Sequence, residues 1–569
     1  MEHTQKRKTS KEKIGRERLY TVVALALLLL FGLFINRHLK IKALYGDDLY
    51  LWSFYGCQDF WSYTFPKVTK GNFRPFYWAV SYLEFLLIGP HVEWYATFNV
   101  LLNVLISWVI YFFSRRLSHL SRVPHGVLLR QGVGLLTGGL YLQSHFAAYQ
   151  IAQVLGLLES LALLLALLTL WALFDYMEGR GTRAYLCACL SFFLVMFTHE
   201  RYIALAPLFY LAIFTVLLTE RRIRKRFEGT ERHTEEKSYK EGTSRSRRHA
   251  SERQESMQVN RWELLLKLLA PVLMLAVFFA VRMTVAGEAI PVGTAGTKVQ
   301  DTFSLTQAIG YAFTQVAYIF GINAGHAIFC GVSFAESPRW VHLLIYGSWL
   351  CLLLMVVIYL RSAWLRGRIT ARLIGENLLF IAFIALCIGS SSITIRLETR
   401  WVYVSYTAAL LYLSYMLGEI AKEKGVRGPL IAFTALFLAY GAVMTPVEHF
   451  DRQHYYNIFF FFDQDRVNSL ADCTIGAEGA ENFLGKKQVY IFYNYYEMTE
   501  FYAEYFFKPF DPEKTGQGTE IHFINSPAAL PEDATDENSI VLMEHGNRGY
   551  IDVTAQAFGK AGWETLAQA

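Results

Sequence analysis

Cysteine is scarce in this chain, with seven among 569 residues, and none sits at a metal-ligand spacing. Cys187, Cys189, Cys351 and Cys387 fall inside apolar stretches, where free buried thiols are the simplest reading. Cys57, Cys330 and Cys473 fall outside them, and three candidates leave any disulfide pairing open. No glycine-rich phosphate loop is present, and no nucleotide-sugar carboxylate motif occurs in a cytoplasmic segment. These absences argue against a nucleotide-bound substrate, and no nucleic-acid partner is expected. No small-residue cleavage site follows the first apolar run, no organelle signal is evident, and no inverted repeat with paired broken helices is seen.

Charge is also sparse, at 18% of residues, against 53% hydrophobic and 16% aromatic residues. The mean hydropathy is +0.25. A chain this apolar is an integral membrane protein. The expected fold is an α-helical polytopic membrane protein with about eleven transmembrane helices and a small C-terminal extracytoplasmic α/β domain.

A basic leader, residues 1–18, precedes the first apolar run, which reads as an uncleaved signal anchor. The transmembrane domain is expected over 19–445. Arg115, Arg116, Arg122 and Arg130 follow the second span, Arg180 and Arg183 the fourth, the basic 220–261 stretch the sixth, Arg361 to Arg372 the eighth, and Lys422 to Arg427 the tenth. Positive charge then marks every second loop as cytoplasmic. The loops 37–94 and 282–340 and the turns at 198–201 and 390–400 face outward, as does the 446–569 region. The third span is short: 132–142 is followed by Gln143, Ser144, His145 and Gln150, the pattern of a broken or tilted helix. The 220–261 loop is polar and mixed in charge, so it is expected to be a disordered linker.

In the last 125 residues or so, strand-like runs at 488–493, 520–525 and 539–544 alternate with helical patterns, which argues for a small α/β domain. Tyr493, Tyr495, Tyr496, Tyr502 and Tyr505 form an aromatic cluster there, better read as packing than as a glycan-stacking surface.

Four polar groups converge on the outer side. Asp47 and Asp48 adjoin in the first outer loop, where a carboxylate pair supplies a general base or a divalent-cation ligand; either is also suited to cap a short helix at 49–55. Arg74 precedes Pro75, which fits the first turn of a helix, and its planar guanidinium suits a phosphate. His199, Glu200 and Arg201 crowd a turn between two apolar spans and are expected to line the same cavity, unless they bind one another or water as a structural knot. Arg396 and Arg400 lie one helical turn apart with Glu398 between them, a pyrophosphate-sized anion site unless Glu398 pairs with them.

The order of these motifs resembles the GT-C glycosyltransferases, a superfamily that includes protein O-mannosyltransferases and the aminoarabinose transferases of lipid A. The resemblance covers about the first 445 residues. It implies a glycosyltransferase of the cell envelope that takes a sugar from a polyprenyl-phosphate donor and gives it to a lipid, polysaccharide or protein acceptor at a bacterial plasma membrane. It implies that Asp47 or Asp48 is the general base and the other orients acceptor or cation. His199 and Glu200 correspond to the family's middle pair, with His in place of the usual Lys, and Arg400 corresponds to the late phosphate-binding arginine. Arg74 and Arg396 are further donor-phosphate candidates. Beyond a divalent cation at the Asp pair, no cofactor is implied. Two readings from other classes stand beside it: a transporter or flippase for a lipid-linked precursor, and a noncatalytic envelope assembly protein.

Overall fold

The computed structural model describes residues 2–41, 47–66, 72–89, 91–118, 120, 126–220, 261–291, 297, 299–326, 328–329, 331–364, 370–422, 427–454, 488–492, 520–526, 529–545 and 549–559. The linker expected at 220–261 (except Glu220 and Arg261), the tyrosines at 493–505, Cys330 and Cys473 lie outside them.

Eight described helices, not about eleven, are long and apolar enough to cross a membrane: Gly15–Ile35, Glu93–Leu117, Gly156–Met177, Glu200–Glu220, Arg261–Ala286, Arg339–Trp364, Ala371–Ser392 and Arg427–Gln453. The three expected spans that fall short have separate physical reasons. Thr182–Thr198 has 17 residues, at the lower limit for a hydrocarbon core about 30 Å thick. Gly126–Gln143 carries Arg130, Gln131 and Gln143. Thr399–Ala421 is rich in Tyr and Ser, yet nearly all of its residues are buried.

That last helix explains how polarity is tolerated in an apolar bundle. Ser414 lies 2.8 Å from Ser114 and 3.0 Å from Thr137, a hydroxyl cluster joining three helices. Tyr403 and Tyr141 both donate to Asn103, at 2.6 and 2.7 Å. Lipid offers no hydrogen bonds, so such groups need protein partners and the helix belongs inside. Gly418 permits that position, because a Cβ there would meet the carbonyl oxygen of Leu117 at 2.0 Å.

The third apolar segment is indeed broken. Gly126–Gln143 stops at Ser144, whose hydroxyl caps a short helix, His145–Ile151, through the Ala147 N–H. The chain then kinks through residues 152–155 before the next long helix starts at Gly156. No side chain fits at Gly156, where a Cβ would lie 1.7 Å from the Gln150 carbonyl oxygen.

Contacts distant in sequence gather the loops at two ends of the bundle. At one end Arg452 bonds Asn36 at 2.7 Å and reaches the Ser144 carbonyl at 3.5 Å. At the other, Glu178 collects Arg116 at 3.5 Å, Lys422 at 3.8 Å and Arg372.

The three expected strands are present as β1 (Gln488–Phe492), β2 (Glu520–Ile524) and β3 (Ser539–His545), joined by β4 (Gly549–Asp552), which the periodicity had not revealed. The order is β2-β1-β3-β4, with β1 parallel to both neighbours and β4 antiparallel to β3. Period-two alternation sends Val489, Ile491, Ile540 and Leu542 into an apolar cluster with Trp52, Tyr77, Phe85 and Tyr95 of the segment after the first span. Tyr490, Phe492, Val541 and Met543 form the opposite face. Burial of both faces explains why these strands read as unbroken apolar runs.

Candidate functional site

The site is built around the segment between the first two long helices. Asp47 and Asp48 open the helix Asp47–Cys57, and only Asp47 is exposed. Asp48 is 2% exposed. Its carboxylate caps neither its own helix nor the stretch at 49–55. Instead its Oδ2 accepts the Val154 N–H at 2.8 Å and its Oδ1 the Leu155 N–H at 2.6 Å. Those donors open the helix Gly156–Met177, and free N–H groups at a helix start favour an anion. Burial pushes the Asp48 carboxyl up to about 7 against the pull of these bonds; neighbouring Asp47 adds to the rise and Arg400 opposes it.

Arg74 ends the preceding loop as expected, immediately before the helix Pro75–Ile88. Its Nε is buried without a hydrogen-bond partner among the described residues. The guanidinium lies within electrostatic reach of Glu200, Arg400 and Glu159.

The turn at 198–201 forms a locked ionic cluster. Glu200 accepts the Phe73 N–H and the Arg282 guanidinium, both at 2.5 Å. Arg201 pairs with Glu159, and His199 Nε2 approaches the same carboxylate at 3.5 Å. The His199 Nδ1 accepts from the Arg201 N–H. Burial, with Arg74, Arg201 and Arg400 facing it, holds the His199 imidazole well below its ordinary range, so it is neutral at pH 7.

Arg396 and Arg400 both pair with Glu398, Arg396 through two contacts at 2.7 and 2.8 Å. Burial raises the Glu398 carboxyl, but Arg400 and Arg396 outweigh it and hold it below the ordinary range. Arg396 is exposed and turned to the rim, whereas Arg400 is half-buried and within reach of Asp47, Asp48, Glu159 and Arg74.

The structure therefore brings Asp47, Asp48, Arg74, His199, Glu200, Arg201, Glu398 and Arg400 to one end of the bundle, with Arg396 at its margin. Three contributors were not singled out from sequence. Glu159 and Arg282 sit within long apolar helices, and Glu84 lies in the apolar helix Pro75–Ile88. A lone charge inside an apolar run was the available signal, since such a charge needs a partner.

A second titratable cluster joins His145, Glu448 and Asp451. The His145 Nδ1 lies 2.7 Å from Glu448 Oε2, and the same oxygen accepts the His145 backbone N–H at 2.8 Å. This hydrogen-bonded pair ties the broken third segment to the last long helix, apart from the Asp pair.

The fold defines a class: a helical, multi-pass membrane protein with a small C-terminal sheet. In comparisons with known proteins, the chain matches no family model and no curated protein.

Proposed function

We propose that this protein is a GT-C-like glycosyltransferase that moves a sugar from a polyprenyl-phosphate carrier to an envelope acceptor by direct displacement. The observation that carries the reading is the division of labour in the Asp pair: Asp48 is anchored by two backbone N–H groups, and Asp47, next to it, is exposed within reach of Arg400. An anchored neighbour fixes the position of an accessible base.

In the proposed reaction the Asp47 carboxylate takes the proton of an acceptor hydroxyl. The hydroxyl oxygen bonds to the anomeric carbon as the bond from that carbon to the phosphate oxygen breaks. The polyprenyl phosphate departs with the bonding pair, its negative charge met by Arg74 and Arg400. Arg74 suits this role because its buried Nε lacks a partner among the described residues, and Arg400 because Glu398 is shared with Arg396. Glu200 and Arg201, paired with Arg282 and Glu159, hold the surrounding helices in place.

The chemistry belongs to the outer face of a bacterial plasma membrane, the N-terminus lying in the cytoplasm. Eleven helices alternate between the two ends, Thr182–Thr198 crossing with 17 residues and the polar groups of Gly126–Gln143 and Thr399–Ala421 paired to neighbouring helices. This parity sets the C-terminal sheet on the same side as Asp47, in keeping with the apolar cluster they share.

The test is transfer from labelled polyprenyl-phosphate sugars by membranes containing the wild-type chain or Asp47→Asn, with envelope extract supplying acceptors. Transfer by the wild type and its loss in the variant are expected. Equal transfer by both, or none by either, overturns the reading.

A further inference from the structure

The helix Pro75–Ile88 carries a polar group that the proposed chemistry does not use. Tyr77, Ser81, Glu84 and Phe85 are buried along it at intervals that put them on one face. Glu84 is 2% exposed, and neither of its carboxyl oxygens has a hydrogen-bond partner among the described residues. The Tyr77 hydroxyl, on a fully buried side chain, has none among the described residues either. Tyr63 and Ser81 satisfy one another beside them, their oxygens 3.2 Å apart. Tyr77, Glu84 and Asp48 all lie within electrostatic reach of one another.

Leaving a buried polar atom unpaired is costly, so three on one helix face call for an explanation. An anion does not fit, because Asp47 and Asp48 adjoin and would repel it. A cation would have to compete with the nearby Arg74 and Arg400. What remains is a neutral ligand that both donates and accepts hydrogen bonds. Burial, with Asp48 adding to it, lifts the Glu84 carboxyl above the ordinary carboxylate range, which favours the neutral acid, a donor as well as an acceptor. The Tyr77 phenol offers the same pair. Trp52, Phe85 and Tyr95 belong to the same apolar cluster as Tyr77, with the Trp52 and Phe85 rings in edge contact 5.6 Å apart. Polar groups placed in an aromatic surround match a hydroxyl-rich ring.

We infer that Tyr77 and Glu84 form the subsite that recognises hydroxyl groups of the sugar carried on the polyprenyl phosphate. The inference rests on the glycosyl-transfer reading and deepens it. The subsite lies beside Asp48, one residue from the proposed base, so hydroxyls held there would orient the ring relative to Asp47.

The experiment uses the full-length protein in lipid nanodiscs and follows tryptophan fluorescence during titration with polyprenyl-phosphate mannose, glucose or arabinose, and with bare polyprenyl phosphate. The wild type is expected to prefer one sugar-bearing carrier over the bare one. Tyr77→Phe and Glu84→Leu should each cut that preference about tenfold, the scale of one buried hydrogen bond, with affinity for the bare carrier unchanged, whereas Glu84→Gln, which keeps a donor and an acceptor, should largely retain it. Either Tyr77→Phe or Glu84→Leu suffices if the other does not fold, as judged by its thermal midpoint. Preference and transfer both intact in these two variants would overturn the subsite alone. A wild type that binds no sugar-bearing carrier more tightly than the bare one would overturn the subsite and the glycosyl-transfer reading together.

Discussion

Asp48 and Leu155 are joined by a 2.6 Å hydrogen bond that spans 107 positions of sequence and ties the first short helix after the leading span to the start of the helix Gly156–Met177. An asparagine at 48 keeps one acceptor oxygen and turns an amide N–H₂ toward the other backbone donor. One buried N–H then loses its partner, at a cost of about 1–3 kcal/mol. Asp48→Asn should lower the thermal midpoint of detergent-solubilised protein, whereas Asp47→Asn, at an exposed position, should leave it unchanged. Equal midpoints for the two variants would contradict the anchoring role.

The same carboxyl gives stability a pH dependence. With its pKa raised from 3.8 to about 7, Asp48 binds its proton more tightly in the fold than in the unfolded chain. Its contribution is therefore fully present below pH 3.8 and is lost as pH rises through 7, amounting to about 4 kcal/mol at most. Thermal midpoints of wild type and Asp48→Asn measured from pH 8 to pH 5 should diverge in favour of the wild type as pH falls. A constant difference across that window would show that Asp48 does not titrate there.

Gly156 and Gly139 offer a paired test of the kink at 152–155. A Cβ at 156 would lie 1.7 Å from the Gln150 carbonyl oxygen, whereas one at 139 meets nothing within 4 Å. Gly156→Ala should sharply reduce the monodisperse fraction of a fluorescently tagged protein in size-exclusion chromatography. Gly139→Ala should leave it intact, since alanine favours a helix by about 1 kcal/mol over glycine.

Sidedness can be measured with a membrane-impermeant thiol reagent. Arg180 is exposed near Glu178 at one end of the bundle, and Glu532 is exposed beside the C-terminal sheet. In intact cells, Glu532→Cys should be labelled above the wild-type background and Arg180→Cys only after the membrane is opened. The reverse pattern would invert the proposed orientation.

Much of the outline was legible from residue order. Long apolar runs are visible without tertiary information because lipid demands about twenty apolar residues per pass. The broken third segment showed in Gln143, Ser144 and His145, and the start of the helix at Pro75 showed in the proline. The strands showed because parallel strands buried on both faces are continuously apolar. Thr399–Ala421 does not pass as a lipid-facing helix by composition, since its polar groups are matched by partners on other helices.

The sequence alone determined that this is a helical membrane protein with a small terminal sheet, and it marked most of the charged residues that gather at one end. Tertiary structure alone decided how the Asp pair divides, that Glu398 holds both arginines, that Glu200 takes Arg282, and that Glu84 lies buried near Tyr77. The reason is physical: hydropathy is a local property written along the chain, whereas whether a charge is paired, exposed or buried depends on helices that meet across a hundred or more residues.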